Sequence, residues 1–238
     1  MRKEPYDVGS IVHVLKRGAR GLPITKDAAD QMRFARLLYH LNDEHTSAFW
    51  EEMTYRLPPF QRPASWPERR ALVKIHAWVL MPNHFHLILE EIQDAGISQF
   101  MKKISVSMTM HFNLKYGEKG SIFQGPYKSR TVGTDRYFTY LAPYVMVKNV
   151  FELYPGGFAK ASKEFERAWK WASGEYWFSS LPDYVGKSRF PIIDRHALTM
   201  FDSPAHFKTL AKDMILGRVG DVIQTLGFEE ETEGKKRQ

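Results

Sequence analysis

The sequence predicts an α+β protein: a ferredoxin-like antiparallel sheet with helices on one face, followed by a helical C-terminal extension. Three observations carry this. Strand-like and helix-like patterns follow one another as strand, helix, hairpin, helix, strand, helix up to about residue 155. The 238 residues are 43% hydrophobic and 14% aromatic, enough to bury a core and too many for a disordered chain. After Tyr154-Pro155-Gly156-Gly157 the composition changes, which divides a first domain, 1–155, from an extension, 156–238.

Residues 10–16 have β-branched character and end in the glycine-rich turn 17–21, so they read as a strand. From Asp27 to about Leu41, Met32, Ala35, Leu38 and Leu41 recur at helical spacing, with Asp27 or Thr25 as the cap. Four prolines between 54 and 70 mark an excursion. Residues 72–80 and 84–90 are apolar runs separated by Met81-Pro82-Asn83, a hairpin. Ile97, Phe100, Met101, Ile104, Met108 and His111 line one side of a helix over 97–115, which Gly117-Glu118-Lys119-Gly120 breaks. Residues 126–132 form an extended basic strand, and Thr134 or Asp135 opens a helix carrying Tyr137, Tyr140, Leu141, Tyr144 and Lys148. Beyond it come a helix around 159–171, an irregular stretch to about 189, two or three short helices over 194–228, and a charged tail, 229–238.

The longest apolar runs, 77–81 and 87–89, fall far short of the roughly 20 residues of a bilayer span, so no membrane partner is expected. The charged Met1–Pro5 is followed by no apolar stretch, and the chain has no cysteine. Together these predict a cytoplasmic protein with no secretory signal, disulfide or thiolate chemistry. The net charge is +7, and residues 101–150 hold eight basic side chains against Glu118 and Asp135. That excess is interleaved with Phe112, Tyr116, Phe123 and Tyr127, the pairing of cations and stacking rings that a polyanion surface needs.

Three local features can carry chemistry. In His84-Phe85-His86, residues two apart on a strand share a face, so both imidazoles can address one cation. Tyr144 is a weak nucleophile at neutral pH unless a polarised phosphate or a cation assists it, and Lys148, four residues on, can supply the cation. The run Gly120 to Arg130 holds hydroxyls, an amide, a ring and two cations, residue types that contact phosphates and bases.

Taken in order, residues 78–87 (Trp-Val-Leu-Met-Pro-Asn-His-Phe-His-Leu), residues 123–129 (Phe-Gln-Gly-Pro-Tyr-Lys-Ser) and Asp135-Arg136-Tyr137 with Tyr144 beyond resemble the HUH-type single-tyrosine transposases (IS200-like), within them the REP-associated tyrosine transposase branch of bacteria. Weaker similarity covers residues 12–18 and 177–180, so the resemblance spans most of 10–215. It implies the HUH endonuclease fold and a metal-dependent enzyme, using Mg²⁺ or Mn²⁺, that nicks and rejoins single-stranded DNA near hairpins through a 5′-phosphotyrosine. His84 and His86 would hold the metal and Tyr144 would attack. DNA contacts would come from Lys102, Lys103, Phe123, Gln124, Tyr127, Lys128, Ser129, Arg130 and Arg136. The partner would be single-stranded DNA with REP-like hairpins, the place of work the nucleoid, and the unit a monomer rather than a homodimer.

Two positions depart from the family's pattern. Its third metal ligand is usually an Asn or Gln four residues after the tyrosine, where this chain has Lys148, here assigned a catalytic role. Asn149, one further, lies about 140° from Tyr144 on a regular helix and needs a bulge to become a ligand. Pro143 predicts a kink or a helix restart just before the tyrosine. Two other readings fit the same residues: a non-catalytic single-stranded DNA or RNA hairpin binder retaining the fold, and a hydrolytic phosphoesterase that releases free ends.

Overall fold

A computed structural model of the chain describes residues 6–46, 49–219 and 226. Strands β1 (Ile11–Arg17), β2 (Val73–Met81), β3 (His84–Glu91) and β4 (Lys128–Thr131) pair antiparallel in the order β2-β3-β1-β4. Helix α1 (Ala28–His40) lies between β1 and β2, α3 (Gly96–Tyr116) between β3 and β4, and short α2 (Trp50–Thr54) in the excursion. This is the predicted ferredoxin-like order. Asp27 caps α1 by accepting from the Asp30 amide, and Thr134 caps the helix after β4 by accepting from the Tyr137 amide, which settles both alternatives.

Strand alternation sorts the core into two layers. Val12, Val14, Phe85, Leu87 and Leu89 point to one face and pack with Phe34, Leu37 and Leu38 of α1 and Ile97, Phe100 and Ile104 of α3. The opposite face is covered as well. There Ala77, Val79, Met81 and Ile88 meet α4 (Asp135–Pro143), a π-helical turn (Tyr144–Lys148), α5 (Asn149–Glu152) and the elements beyond. A bulge between Ile75 and Ala77 makes both layers possible. Val73 and Ile75 belong to the α1/α3 layer, whereas Ala77 and Val79 belong to the other, a change of parity that regular alternation forbids.

The extension binds the second face through backbone and side chains together. Phe178 and Ser180 pair with the outer edge of β2, Leu80 N donating to Phe178 O and Ser180 N to Trp78 O, each at 2.9 Å. This covers an otherwise exposed strand edge. Beyond it lie α6 (Gly157–Lys163), α7 (Phe165–Gly174), α8 (Leu181–Tyr184), a 3₁₀ turn (Arg195–Met200) and α9 (Pro204–Ile215). The single helix expected at 159–171 is thus two. Glu164 leaves helical geometry between them, and its carboxylate accepts from the Tyr154 hydroxyl at 3.2 Å. The segments 1–5 and 229–238, read from sequence as a charged start and tail, lie outside the described residues. No described helix is long and apolar enough to cross a membrane.

The β2–β3 hairpin is held from outside its own strands. Gly18 N donates to Asn83 O at 2.7 Å and Ile24 N to Pro82 O at 2.8 Å. A Cβ on Gly18 would overlap the Leu22 carbonyl and crowd Asn83 O at 3.1 Å. Gly18→Ala is therefore expected to destabilise by about 1–3 kcal/mol, lowering the melting temperature by roughly 2–4 °C per kcal/mol. Gly133→Ala, in open space, serves as the control. Equal melting temperatures for the two variants would refute the close approach.

Candidate active site

His84 and His86 leave β3 on the face that also carries Ile88, while Phe85 points away to within 4.9 Å of the Phe34 ring. The two imidazoles stand edge to face with centroids 5.1 Å apart. Asn83, fixed by the hairpin contacts, accepts from His84 Nδ1–H through its side-chain Oδ1 at 2.6 Å, which turns His84 Nε2 into the lone-pair nitrogen. His86 is fully buried and stacked on His13 of β1, centroids 5.1 Å apart, with His13 Nε2 and His86 Nδ1 at 2.9 Å.

The helix after β4 brings the phenol to this cluster. Tyr144 lies edge-on to His86 at 6.2 Å and to His13 at 6.3 Å between centroids, and only 1% of it is exposed. Pro143 does not restart the helix: backbone angles stay helical from Pro143 to Asn149. The irregularity appears as the π-helical turn, in which Asn149 N–H donates to Tyr144 O, five residues back. That bond places Asn149 one wide turn beyond Tyr144, instead of about 140° away. The bulge that the sequence requires of Asn149 is present. Lys148 extends over the Tyr144 ring, Nζ 5.1 Å from its centroid, and pairs with Glu152 at 2.6 Å.

The donor atoms fit a cation. His86 Nε2 and Asn149 Oδ1 are buried without a hydrogen-bond partner among the described residues. Buried acceptors are rarely left so unless something other than protein satisfies them. Burial, then the charges of Arg17 and Lys148, lowers the His84 pKa to about 3, and burial, then Arg130, does the same for His13. His86 is held well below the ordinary range, by burial first. All three rings are neutral near pH 7, the form that ligates a metal. Among the described residues no three His, Cys, Asp or Glu side chains are grouped to hold a metal ion.

The residues read as DNA contacts fall into two groups. Paired residues of neighbouring antiparallel strands share a face. Lys128 opposite Leu15 and Arg130 opposite His13 therefore stand on the imidazole face, with Gln124 exposed nearby, its amide bonded to Arg17 O, and Arg136 exposed on the first turn of α4. The others stand on or behind the opposite face. Ser129 pairs with Val14, Tyr127 bonds through its hydroxyl to Tyr6 and Ser98, and Phe123 is buried beside Phe85 under Lys16. Lys102 is exposed on α3, and Lys103 donates to Asp43 O at 2.5 Å and to Thr46 Oγ1 at 3.2 Å, tying down the loop after α1. Arg17, opposite His84, joins the rim of the site. Sequence reasoning missed Arg17 and His13 because only the β1–β3 register shows which side of β1 faces the histidine pair, and it read Asn83 as a turn residue alone.

Because His13 and His84 take up protons more readily unfolded than folded, stability is complete above the ordinary histidine pKa of 6.5 and falls as pH drops from there toward 3. Urea midpoints of the metal-free protein should therefore decrease between about pH 7.5 and about pH 5, and less so in His84→Gln. An unchanged midpoint in the wild type would contradict the buried neutral cluster.

No curated protein matches the chain by sequence. Among solved structures, that of a REP-associated tyrosine transposase bound to a REP hairpin aligns with 82% of this chain and 96% of its own, at 14% identity and a TM-score of 0.40. Residues 67–148 match the IS200-like transposase family. The match opens before β2 and closes at Lys148, so it takes in the histidine hairpin, β4 and the tyrosine helix. Over that segment, the chain is similar to the IS200-like transposases.

Proposed function

We propose that the chain is a single-strand DNA nicking and joining enzyme of the REP-associated tyrosine transposase type, with Tyr144 as nucleophile. The observation that carries the reading is the Tyr144 ring 6.2 Å from His86, on the helix whose π-turn bonds the Asn149 N–H to Tyr144 O. His84 Nε2, His86 Nε2 and Asn149 Oδ1 would hold Mg²⁺ or Mn²⁺. The bound ion would supply Lewis-acid polarisation of the scissile phosphate and fix its orientation.

The remaining chemistry belongs to the chain. Tyr144 Oη gives up its proton and attacks the phosphorus; the P–O3′ bond breaks, and O3′ leaves as a hydroxyl. The protein stays joined to the 5′-phosphate, so the phosphoester is conserved, and a later 3′-hydroxyl reverses the step and frees the tyrosine. The Lys148 ammonium over the phenol ring favours the phenolate and the charge that develops on phosphorus. Arg17, Lys128 and Arg130, on the same sheet face, hold the flanking phosphates. With 1% of Tyr144 exposed, strand entry requires the side chains above it to move. One chain supplies both the histidine pair and the phenol, which supports a monomer as the working unit.

Incubation with hairpin-bearing single-stranded DNA and Mn²⁺ should give an SDS-resistant protein–DNA adduct that Tyr144→Phe abolishes. Lys148→Met should slow its formation by about 10²-fold and shallow the salt dependence of binding by about one phosphate contact. No adduct with any such DNA, together with salt-sensitive binding unaffected by Tyr144→Phe, would mark a non-catalytic binder. Free cut ends without an adduct would mark a hydrolase.

A further inference from the structure

The proposed metal centre leaves one question of chemistry open at His86: which ring nitrogen carries the hydrogen. We infer that His13 is a positioning residue, accepting a hydrogen bond from His86 Nδ1–H so that the lone pair of His86 Nε2 faces the site. This rests on the metal-centre reading and adds to it a residue that neither touches substrate nor ligates.

The contact is the 2.9 Å separation of His13 Nε2 and His86 Nδ1 between two fully buried, stacked rings. One nitrogen donates and the other accepts, so two tautomer arrangements exist. If His13 donated, the hydrogen of neutral His86 would sit on Nε2. That atom is buried with no acceptor among the described residues, and an orphan buried N–H costs about 1–3 kcal/mol. If His86 donates instead, its Nε2 lone pair remains for a cation, as the Oδ1 lone pairs of Asn149 do. The second arrangement moves the buried hydrogen to His13 Nδ1, so burial alone does not separate the two; what selects it is that His86 can ligate through Nε2 only when its own hydrogen sits on Nδ1, within reach of His13.

The two histidine ligands thus receive matching treatment from different elements. Asn83 Oδ1, in the hairpin turn, accepts from His84 Nδ1–H, and His13 Nε2, in β1, accepts from His86 Nδ1–H. Accepting partners behind ligating histidines fix the ring and raise its basicity, and their loss typically weakens metal affinity by about 10–100-fold. His13 also meets the Tyr144 ring edge at 6.3 Å, so the ring that orients the ligand also bounds the phenol.

Long-range ¹⁵N–¹H NMR of the metal-free, histidine-labelled full chain reads the tautomer directly. The expected result is hydrogen on His86 Nδ1 and none on Nε2, whereas hydrogen on Nε2 would overturn the inference. Mn²⁺ titration followed by EPR provides the second readout. His13→Phe, which keeps a flat ring without an acceptor, should bind Mn²⁺ about 10–100-fold more weakly. His13→Gln, which retains an accepting oxygen, should recover most of that loss. Wild-type affinity in folded His13→Phe would also overturn the role. Should His13→Phe fail to fold, the wild-type spectrum and the His13→Gln titration still decide. No Mn²⁺ binding by a wild type that shows the expected tautomer would refute the metal centre and leave the assignment at His86 supported.

Discussion

A five-residue hydrogen bond governs this site. A regular α-helix aligns residues four apart, and on such a helix Tyr144 would stand above Lys148. The Asn149 N–H bonds Tyr144 O instead, and the wide turn holds one residue more than an α-turn. Three consequences follow. Asn149 comes one wide turn beyond Tyr144 with its side chain buried, Lys148 is carried over the phenol ring, and Val145, Met146 and Val147 are all buried against the second face of the sheet.

A wide turn must be held by its surroundings, and the extension holds this one. Ser180 Oγ donates to Met146 Sδ inside the turn, while the Ser180 backbone is paired to Trp78 on β2. Contacts from α9 reach both α4 and the π-turn. The bulge in β2 matters for the same reason, because it sends Ala77 and Val79 toward the tyrosine helix while Trp78 stays in the α1/α3 layer. The extension therefore forms the second wall of the layer in which the site lies.

Much of the fold was legible because its signals are local. Alternation around His84-Phe85-His86, the Pro82-Asn83 turn and the helical spacing from Ile97 each depend on neighbours within one element, and each appears where the sequence places it. The need for a bulge before Asn149 was legible too, since counting residues around a helix requires nothing else. What escaped depends on partners distant in sequence. Phe123, Tyr127 and Lys103 look like nucleic-acid contacts by residue type, yet the register of β4 and the packing of α3 turn them away from the histidine pair. Arg17 and His13 carry no local mark, and only their pairing with His84 and Ile88 brings them to the site.

The proposed convergence of His84, His86 and Asn149 beside Tyr144 is tested most directly by anomalous diffraction from crystals of the full chain grown with Mn²⁺. A single manganese bound by His84 Nε2, His86 Nε2 and Asn149 Oδ1, with the Tyr144 hydroxyl facing it, is the expected result. Manganese held by other residues, or a site in which Asn149 turns away while both histidines ligate, would contradict the role assigned to the π-helical turn.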